Sequence, residues 1–219
     1  MSNGWKFHAR LISSLLLLLA FLPASPAAAT GGIITYRKVF KSSFPEFVEI
    51  RIDESGTGTW DIHQLDEEAD RQPLQVSSSL AQRVFSLAAQ LHYFDKANLD
   101  VHRKIANLGE KTFRYEKGGV SHEATFNYTL STSANQLLYI FEALAIEMED
   151  VSALQRAMKF DRLGVNEAVQ RIETDYNRKV ILEPEKLLPV LDQLAADSQY
   201  LDIARQRARS LAEKIRNPK

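Results

Sequence analysis

Alternating apolar and polar residues predict a β-strand over Phe47 to Asp53 and a second one over Thr59 to Leu65. The segment between them, residues 54–58, has the composition of a turn. If Asp53 pairs with Thr59, four further pairs fall into register: Ile52–Trp60, Ile50–Ile62, Arg51–Asp61 and Glu49–His63. Two of these pairs are apolar and two combine opposite charges, which stabilises antiparallel strands. We therefore predict a hairpin with this register.

The residues before this hairpin form a short lead-in, Thr30 to Ser43. Its apolar pairs, Ile33-Ile34 and Val39-Phe40, could add an edge strand to the sheet.

A helix is predicted after the hairpin, near residues 79–94. Ser79-x-x-Gln82 has the spacing of a capping box. The apolar residues that follow it recur at helical spacing and form one stripe: Leu80, Val84, Leu87, Ala88 and Leu91. A polar connection then runs from Asp95 to Glu110.

The same order of elements recurs in the next 50 residues. Gly118-Gly119 separates two alternating runs and is typical of a two-residue hairpin loop. Pairing Lys117 with Val120 would set Phe113 opposite Ala124 and Arg114 opposite Glu123. Ser133-x-x-Gln136 then predicts the start of a helix over residues 133–158. Two hairpin–helix units in succession indicate a duplicated ββα-ββα arrangement.

Beyond Met148 the pattern is helical throughout. One apolar stripe begins at Val165, a second helix starts near Pro184, and a third runs from Leu201 to Ile215. Pro189 is unfavourable inside a helix, so the second helix is expected to begin near Leu187.

These elements predict an α+β fold with a four-stranded antiparallel sheet, two helices on one face of it, and a C-terminal helical subdomain. We assign residues 30–150 to the α+β domain and residues 151–219 to the helical subdomain.

The first 29 residues have the pattern of a secretory signal peptide. Lys6 and Arg10 precede an apolar run from Leu11 to Leu22, and small residues follow up to Ala29. The run is too short for a membrane anchor. The chain contains no cysteine, which excludes a lipid-modified cysteine and a disulfide framework. We expect a periplasmic or secreted protein that is not a lipoprotein and has no transmembrane span after cleavage.

Composition narrows the choice of partner. Removing residues 1–29 leaves 190 of the 219 residues and a slight excess of acidic over basic side chains, 28 against 25. This balance argues against nucleic acid as the main partner. The 45% of hydrophobic residues is enough for a folded core.

Two segments resemble known groups of proteins. Pro45-Glu46-Phe47 followed by Gly56-Thr57-Gly58-Thr59-Trp60 is similar to the opening hairpin of a group of exported bacterial domains of unknown function, over about residues 44–147. The chain departs from that group in lacking cysteines near its start and in one extra residue before Gly56. Residues 187–208 resemble one HEAT-type helical pair, although such repeats require neighbours.

No motif for catalysis or cofactor binding is found. The chain has no cysteine nucleophile, no Gly-x-Ser-x-Gly, no Ser-x-x-Lys and no phosphate-binding glycine loop. The mature histidines lack metal-ligand spacing, and His63 is expected to pair with Glu49 instead. We therefore predict no cofactor and no metal.

The last 15 residues are strongly basic. Five of their cations are candidates for contact with an envelope protein or an anionic surface: Arg205, Arg207, Arg209, Lys214 and Arg216. The alternative is that they only offset the dipole at the end of a helix. The long polar connection, Asp95 to Gly109, is the second candidate contact surface. Together these features favour a non-enzymatic binding module; the alternative is a hydrolase whose carboxylates the sequence does not single out.

Overall fold

The computed structural model describes residues 31–101 and 103–218, so the predicted signal peptide lies outside the described residues. The described residues form six strands: β1 (Ile33–Val39), β2 (Phe47–Asp53), β3 (Thr57–His63), β4 (Gln72–Gln75), β5 (Glu110–Lys117) and β6 (Val120–Phe126), with one α-helix between β4 and β5. The helices are α1 (Ser78–Gln90), α2 (Thr132–Phe160), α3 (Val165–Asn177), α4 (Leu188–Ala196) and α5 (Asp202–Arg216). The fold is α+β: one antiparallel sheet in the order β4-β3-β2-β1-β5-β6, followed by a C-terminal region of four helices.

The prediction of four strands was wrong, because the sheet has six. The lead-in forms β1, which is a central strand and not an edge strand: Tyr36 pairs with Ile50 on one side and with Phe113 on the other. Ile34 and Tyr36 are fully buried. The alternation that would identify β1 is obscured because Ile33 is also apolar and because Lys38 shares the face of Tyr36. Strand β1 therefore joins the two predicted hairpins into one sheet.

The second strand that was not predicted is β4. It forms one edge of the sheet and, among the described strands, pairs only with β3. It is four residues long and contains Pro73, which cannot donate a backbone hydrogen bond and is tolerated at a sheet edge. The first repeat thus contains four strands before its helix, so the two units are not equal copies of ββα.

The register predicted for the first hairpin was wrong by two residues. Ile50, not Ile52, lies opposite Trp60, because the loop contains only three residues, 54–56. Gly56 has a φ of +85° and donates its N–H to the Asp53 carbonyl at 3.0 Å, while the Asp53 side chain accepts hydrogen bonds from the N–H groups of Ser55 and Thr57. A left-handed glycine in a three-residue loop is a common hairpin geometry. A shift of two residues leaves each side chain on its predicted face.

The register of the second hairpin is confirmed. Lys117 pairs with Val120, and Phe113 lies opposite Ala124. Gly118 and Gly119 both have positive φ, 58° and 82°, as a tight two-residue turn requires.

Each of the two helices that follow the hairpins begins earlier than predicted. Ser77 caps α1 by accepting a hydrogen bond from the Leu80 N–H (3.2 Å), and Ser131 caps α2 through the Ala134 N–H (3.3 Å). The expected caps, Ser79 and Ser133, lie inside the first turns. In both cases the serine with extended backbone takes the capping position.

The first of two hydrophobic cores lies between the sheet and the helices α1 and α2. Ile50, Phe113, Phe126, Leu87 and Phe141 are buried there as predicted, and Trp60 is partly buried against the same core. The Phe141 ring stacks on Tyr36, with centroids 5.3 Å apart. A second core contains Leu154 from α2 together with apolar residues of α3, α4 and α5, so α2 belongs to both.

The chain leaves α1 through a left-handed turn. His92, Tyr93 and Phe94 have φ angles of 53°, 50° and 65°, which side-chain-bearing residues adopt at a cost of about 1–2 kcal/mol each. The turn places Phe94 fully inside the core, stacked on Phe113 at 5.5 Å. Burial of this aromatic ring offsets the backbone strain.

The C-terminal helices follow the predicted pattern. Val165, Val169 and Ile172 of α3 are buried. Pro184 opens a short 3₁₀ turn, Pro184–Leu187, and α4 begins at Leu188 with Pro189 in its first turn, where proline is tolerated.

Candidate functional site

Helices cover one face of the sheet, and the other face, here called the outer face, carries mostly polar and charged residues. Its polar members on the four central strands include Thr35, Arg37, Glu49, Arg51, Asp61, Thr112 and Arg114. Two predicted ion pairs on this face, Arg51–Asp61 and Glu49–His63, are not formed because the register differs. Their charged groups have other partners: Arg51–Glu116 at 3.3 Å, Arg71–Glu49 at 3.3 Å and His63–Asp61 at 2.8 Å. The predicted pair Arg114–Glu123 is confirmed, at 2.8 Å.

Strand β6 forms one edge of the sheet and pairs only with β5. Because Lys117 and Val120 flank a two-residue loop, they form a hydrogen-bonded pair, and such pairs alternate along the ladder. The backbone groups of Ser121, Glu123 and Thr125 therefore point away from β5. Among the described residues, none of these N–H or C=O groups has a hydrogen-bond partner. We call these three residues the free edge.

At its C-terminal end the free edge meets an open cleft of about 620 Å³. The residues that line this edge cleft are Val39, Lys41, Asp100, Asn107, Glu110, Thr125, Phe126 and Asn127. They come from the ends of β1 and β6, the start of β5, and the polar connection. The edge cleft thus offers an exposed ammonium group, an exposed carboxylate and several amide and hydroxyl groups above a small apolar floor.

The polar connection forms one wall of the edge cleft, and Asn127 holds it there. The Asn127 amide oxygen accepts a hydrogen bond from the Leu108 N–H (2.7 Å), and its amide nitrogen donates to the Ala106 carbonyl (2.9 Å). Asp100 accepts the N–H of Asn127 at 3.0 Å. A connection without helix or strand is therefore kept in a defined position by side-chain hydrogen bonds.

Lys111, on the core side of the sheet, also holds this wall of the edge cleft in place. Its ammonium group donates to three backbone carbonyls, those of Leu108 (2.9 Å), Gly109 (3.1 Å) and Asn127 (2.9 Å). The residue is buried, and burial lowers the pKa of its ammonium group, while Glu142 opposes this effect. Sequence patterns give no signal for this arrangement, because a lysine in an alternating strand is expected to face water.

The five basic residues predicted to bind a partner all lie on α5, and each has a partner within the molecule. Arg207 and Lys214 both contact Glu173 of α3 at 2.8 Å, and they hold the pKa of that carboxyl below its usual value, Lys214 most strongly. Arg205 pairs with Asp202 at 2.8 Å, and Arg216 with Asp192 at 2.5 Å. Arg209 donates to the Ala195 carbonyl at 3.4 Å. Partner binding by α5 stays a prediction.

A group of buried carboxylates connects the two cores. Glu147 and Asp150 of α2 are almost fully buried, and burial raises the pKa of both, that of Asp150 to about 6 even though Arg171 lies 2.5 Å away. Burial also acts on Glu183, but hydrogen bonds from Lys186 and Ser77 hold its pKa below the usual value. Lys186 also donates to the Gln75 carbonyl at the end of β4. Through these contacts the segment before α4, which contains Glu183 and Lys186, is bound to the end of β4.

The sequence singled out the polar connection, which supplies Asp100 and Asn107 to the edge cleft, but it did not single out the rest of the edge cleft or the free edge. The relevant property of β6, an unpaired edge, depends on strand order, which residue patterns do not give. His63, expected to pair with Glu49, contacts Asp61 instead. Within residues 31–101 and 103–218 no group of three or more potential metal ligands converges.

The comparisons with known proteins do not identify a family. No family model matches the chain, and no curated protein is significantly similar to it. The described helices include none that is both long and apolar enough to cross a membrane.

Proposed function

We propose that this protein is a non-enzymatic binding module of the cell envelope, which binds an extended peptide segment along the free edge of β6. The observation that supports the proposal is the row of outward backbone groups on Ser121, Glu123 and Thr125, which have no partner among the described residues. An extended peptide satisfies such groups by adding a strand to the sheet. The main-chain hydrogen bonds give affinity, and pockets along the edge give specificity.

The two edges of the sheet differ in the way that this function requires. Natural edge strands are usually protected by shortness, by proline or by lysine. Strand β4 is short and contains Pro73. Strand β6 has seven residues and contains neither proline nor lysine, and its acidic side chain, Glu123, is paired with Arg114 on β5. The less protected edge is therefore the one beside the edge cleft.

The charges favour a foreign peptide over a second copy of this chain. In a symmetric antiparallel pairing centred on Glu123, each Glu123 would lie opposite the other, and like charges in that position are destabilising. Next to the edge, the edge cleft presents Lys41 and Glu110, which can receive a polar side chain or a peptide terminus. The preferred ligand is an extended peptide with a polar or charged end.

Two other predicted roles have less support. A hydrolase would need carboxylates of perturbed pKa in an accessible cleft. Glu147 and Asp150, whose pKa values are raised, are buried between the two cores, and Glu149, whose pKa is also raised by burial, is half-buried and does not line the edge cleft. On α5, four of the five cations already hold carboxylates of this chain, and these pairs would have to open before an anionic partner could bind.

The test uses linear peptides that are selected from a displayed random library because they bind to the protein without residues 1–29. Titration calorimetry would compare the unmodified protein with Glu123→Pro and its matched control Glu123→Ala. Both variants lose the contact with Arg114, but only proline removes the outward N–H; since that N–H faces solvent, the sheet itself should tolerate the change. We expect the proline variant to bind at least about tenfold more weakly than the alanine variant, because main-chain hydrogen bonds are lost.

Hydrogen exchange locates the contact independently. On peptide binding, the amide hydrogens of Ser121, Glu123 and Thr125 should become protected. Equal affinity of the two Glu123 variants, or protection at another surface, would overturn the proposal.

A further inference from the structure

The edge of β6 is closed beyond the three residues of the free edge. Because outward backbone groups alternate along a strand, the next N–H after Thr125 belongs to Asn127. The Asp100 carboxylate accepts this N–H at 3.0 Å and that of Tyr128 at 3.3 Å. In addition, the Val101 N–H donates to the Tyr128 carbonyl at 3.2 Å. Residues 100 and 101 therefore lie where a strand added to β6 would continue.

The other end of the free edge is open. There β6 begins after the Gly118-Gly119 loop, and a Cβ atom built on either glycine would have no other described atom within 4 Å. A peptide can extend past this loop into solvent. A strand added to β6 thus has one open end, at the glycine loop, and one closed end, at the edge cleft.

The direction of the added strand decides which peptide terminus reaches the closed end. The five strand pairs of the described sheet are all antiparallel, and antiparallel ladders are slightly more stable per residue than parallel ones. The closed end is the C-terminal end of β6, so an antiparallel peptide has its N-terminal end there. The second peptide residue would pair with Thr125, and the first would lie beside the edge cleft.

Glu110 offers an acceptor for an α-ammonium group at this place. It is exposed, lines the edge cleft together with Thr125, and has no ion pair among the described residues. Since neighbouring strands are about 4.8 Å apart, Glu110 on β5 lies two spacings, or about 10 Å, from an added strand. The glutamate side chain and the first peptide residue can span this gap together.

Lys41 also lines the edge cleft and would suit a peptide C terminus. Backbone hydrogen bonds and, more weakly, Lys41 lower the pKa of the Glu46 carboxyl, so this ammonium group already has a carboxylate nearby. Arg103 and Lys104 are exposed in the polar connection but do not line the cleft. Because charges of both signs are present, the direction of the strand, and not net charge, selects the peptide N terminus.

We propose that the site binds the free N terminus of an extended peptide, which runs antiparallel to β6 and pairs its α-ammonium group with Glu110 in the edge cleft. The inference rests on the proposed function, because it specifies which end of the bound peptide lies at the closed end of the free edge. A segment in the middle of a chain, which has no ammonium group, would bind more weakly.

The test begins with two random peptide libraries, one displayed with free N termini and one with free C termini. We expect the peptides that distinguish Glu123→Pro from Glu123→Ala to come from the first library. These peptides are then synthesised with both ends free, with an acetylated N terminus and with an amidated C terminus. Acetylation should weaken binding at least about tenfold in titration calorimetry, because charge-assisted hydrogen bonds are lost, whereas amidation should change it less than about twofold.

Glu110→Gln tests the proposed counter-ion. With this variant the effect of acetylation should fall to about threefold or less, because the charge partner is gone. The matched control is Glu68→Gln, at an exposed carboxylate in the loop between β3 and β4, near the opposite edge of the sheet. The control should keep the full effect of acetylation.

The outcomes separate this inference from the proposed function. If acetylation has no effect while the two Glu123 variants still differ, the inference is wrong and binding along the free edge stands. A loss on amidation alone would reverse the direction of the peptide, and equal effects of acetylation in Glu110→Gln and Glu68→Gln would remove Glu110 from the site; either result overturns the inference. Equal binding to the two Glu123 variants would overturn the proposed function, and the inference with it.

Discussion

Lys38 and Lys111 lie directly opposite each other on β1 and β5, on the sheet face that packs against the helices. Like charges in this position repel each other. The two ammonium groups have different partners: Lys111 is buried among three backbone carbonyls, and Lys38 approaches Glu142 at 3.8 Å. Lys111 connects β5 to the wall of the edge cleft, whereas Lys38 does not. The contribution of Lys111 to stability can therefore be measured separately from that of Lys38 by replacing each lysine in turn.

We expect Lys111→Met to lower the free energy of unfolding by about 1–3 kcal/mol, because one buried and two partly buried carbonyls lose their donor. The amide hydrogens of Leu108 and Gly109 should exchange faster at the same time, since the wall of the edge cleft is released. Lys38→Met is the control. Its ion pair is partly exposed, and a loss of about 1 kcal/mol or less is expected. Equal losses in chemical denaturation would contradict the assigned role of Lys111.

The pKa of Asp150 gives a second prediction. Burial raises it to about 6 in the folded protein, against an ordinary value near 3.8. The folded state therefore keeps the proton over a range in which the unfolded chain has lost it, so this group makes the protein less stable as the pH rises from about 4 to 6. Above that range the effect is constant.

Asp150→Asn removes this titration. The free energy of unfolding of the unmodified protein, minus that of the variant, should fall by on the order of 2 kcal/mol between pH 4 and pH 6.5. Glu173→Gln, on α3, is the control: Lys214 and Arg207 lower the pKa of this carboxyl, so the corresponding difference should not fall over this range. A difference for Asp150→Asn that is independent of pH would show that its carboxyl titrates normally.

Phe141 lies at the centre of the first core, fully buried and stacked on Tyr36. Its replacement by alanine should cost about 3–5 kcal/mol, because a large cavity remains between α2 and the sheet. Tyr139→Ala, on the exposed side of the same helix, removes a hydrogen bond to the Lys179 carbonyl and should cost about 1 kcal/mol. Thermal or chemical denaturation of the two variants distinguishes core packing from helix propensity.

Gly58 allows a close backbone contact between β2 and β3. A Cβ atom at this position would lie 1.8 Å from the Arg51 carbonyl oxygen. We expect Gly58→Ala to force the strands apart and to accelerate amide exchange along both. Gly118→Ala meets no atom within 4 Å and changes only the backbone strain at a φ of +58°, at a cost of about 1 kcal/mol. If both variants were equally stable, the contact at Gly58 would not limit the separation of the strands.

The sequence predicts which face of each strand is buried better than it predicts the partners across the sheet. Ile50 and Ile52 face the core as expected, because a register shift of two residues preserves the face. Arg51 on β2 nevertheless donates a hydrogen bond to Glu116 on β5, a residue 65 positions away, across the intervening strand β1. That contact depends on strand order, which alternation along one segment does not contain.

The features of the candidate site are hidden for a related reason. The role of Asn127 comes from side-chain hydrogen bonds to a connection about 20 residues earlier in the chain. Periodicity predicted Phe141 in the core because that position follows from one helix alone. It gives no information on Asn127, which follows the last residue of β6.

Helix α2 follows β6 after five intervening residues and has 29 residues, from Thr132 to Phe160. At 1.5 Å per residue it is about 43 Å long. Its first turns pack in the core under the sheet, while Leu154, near its C-terminal end, lies in the second core. Because one continuous helix belongs to both cores, neither core can lose its packing without exposing part of α2, and the sheet and the C-terminal helices are expected to unfold together in one cooperative transition.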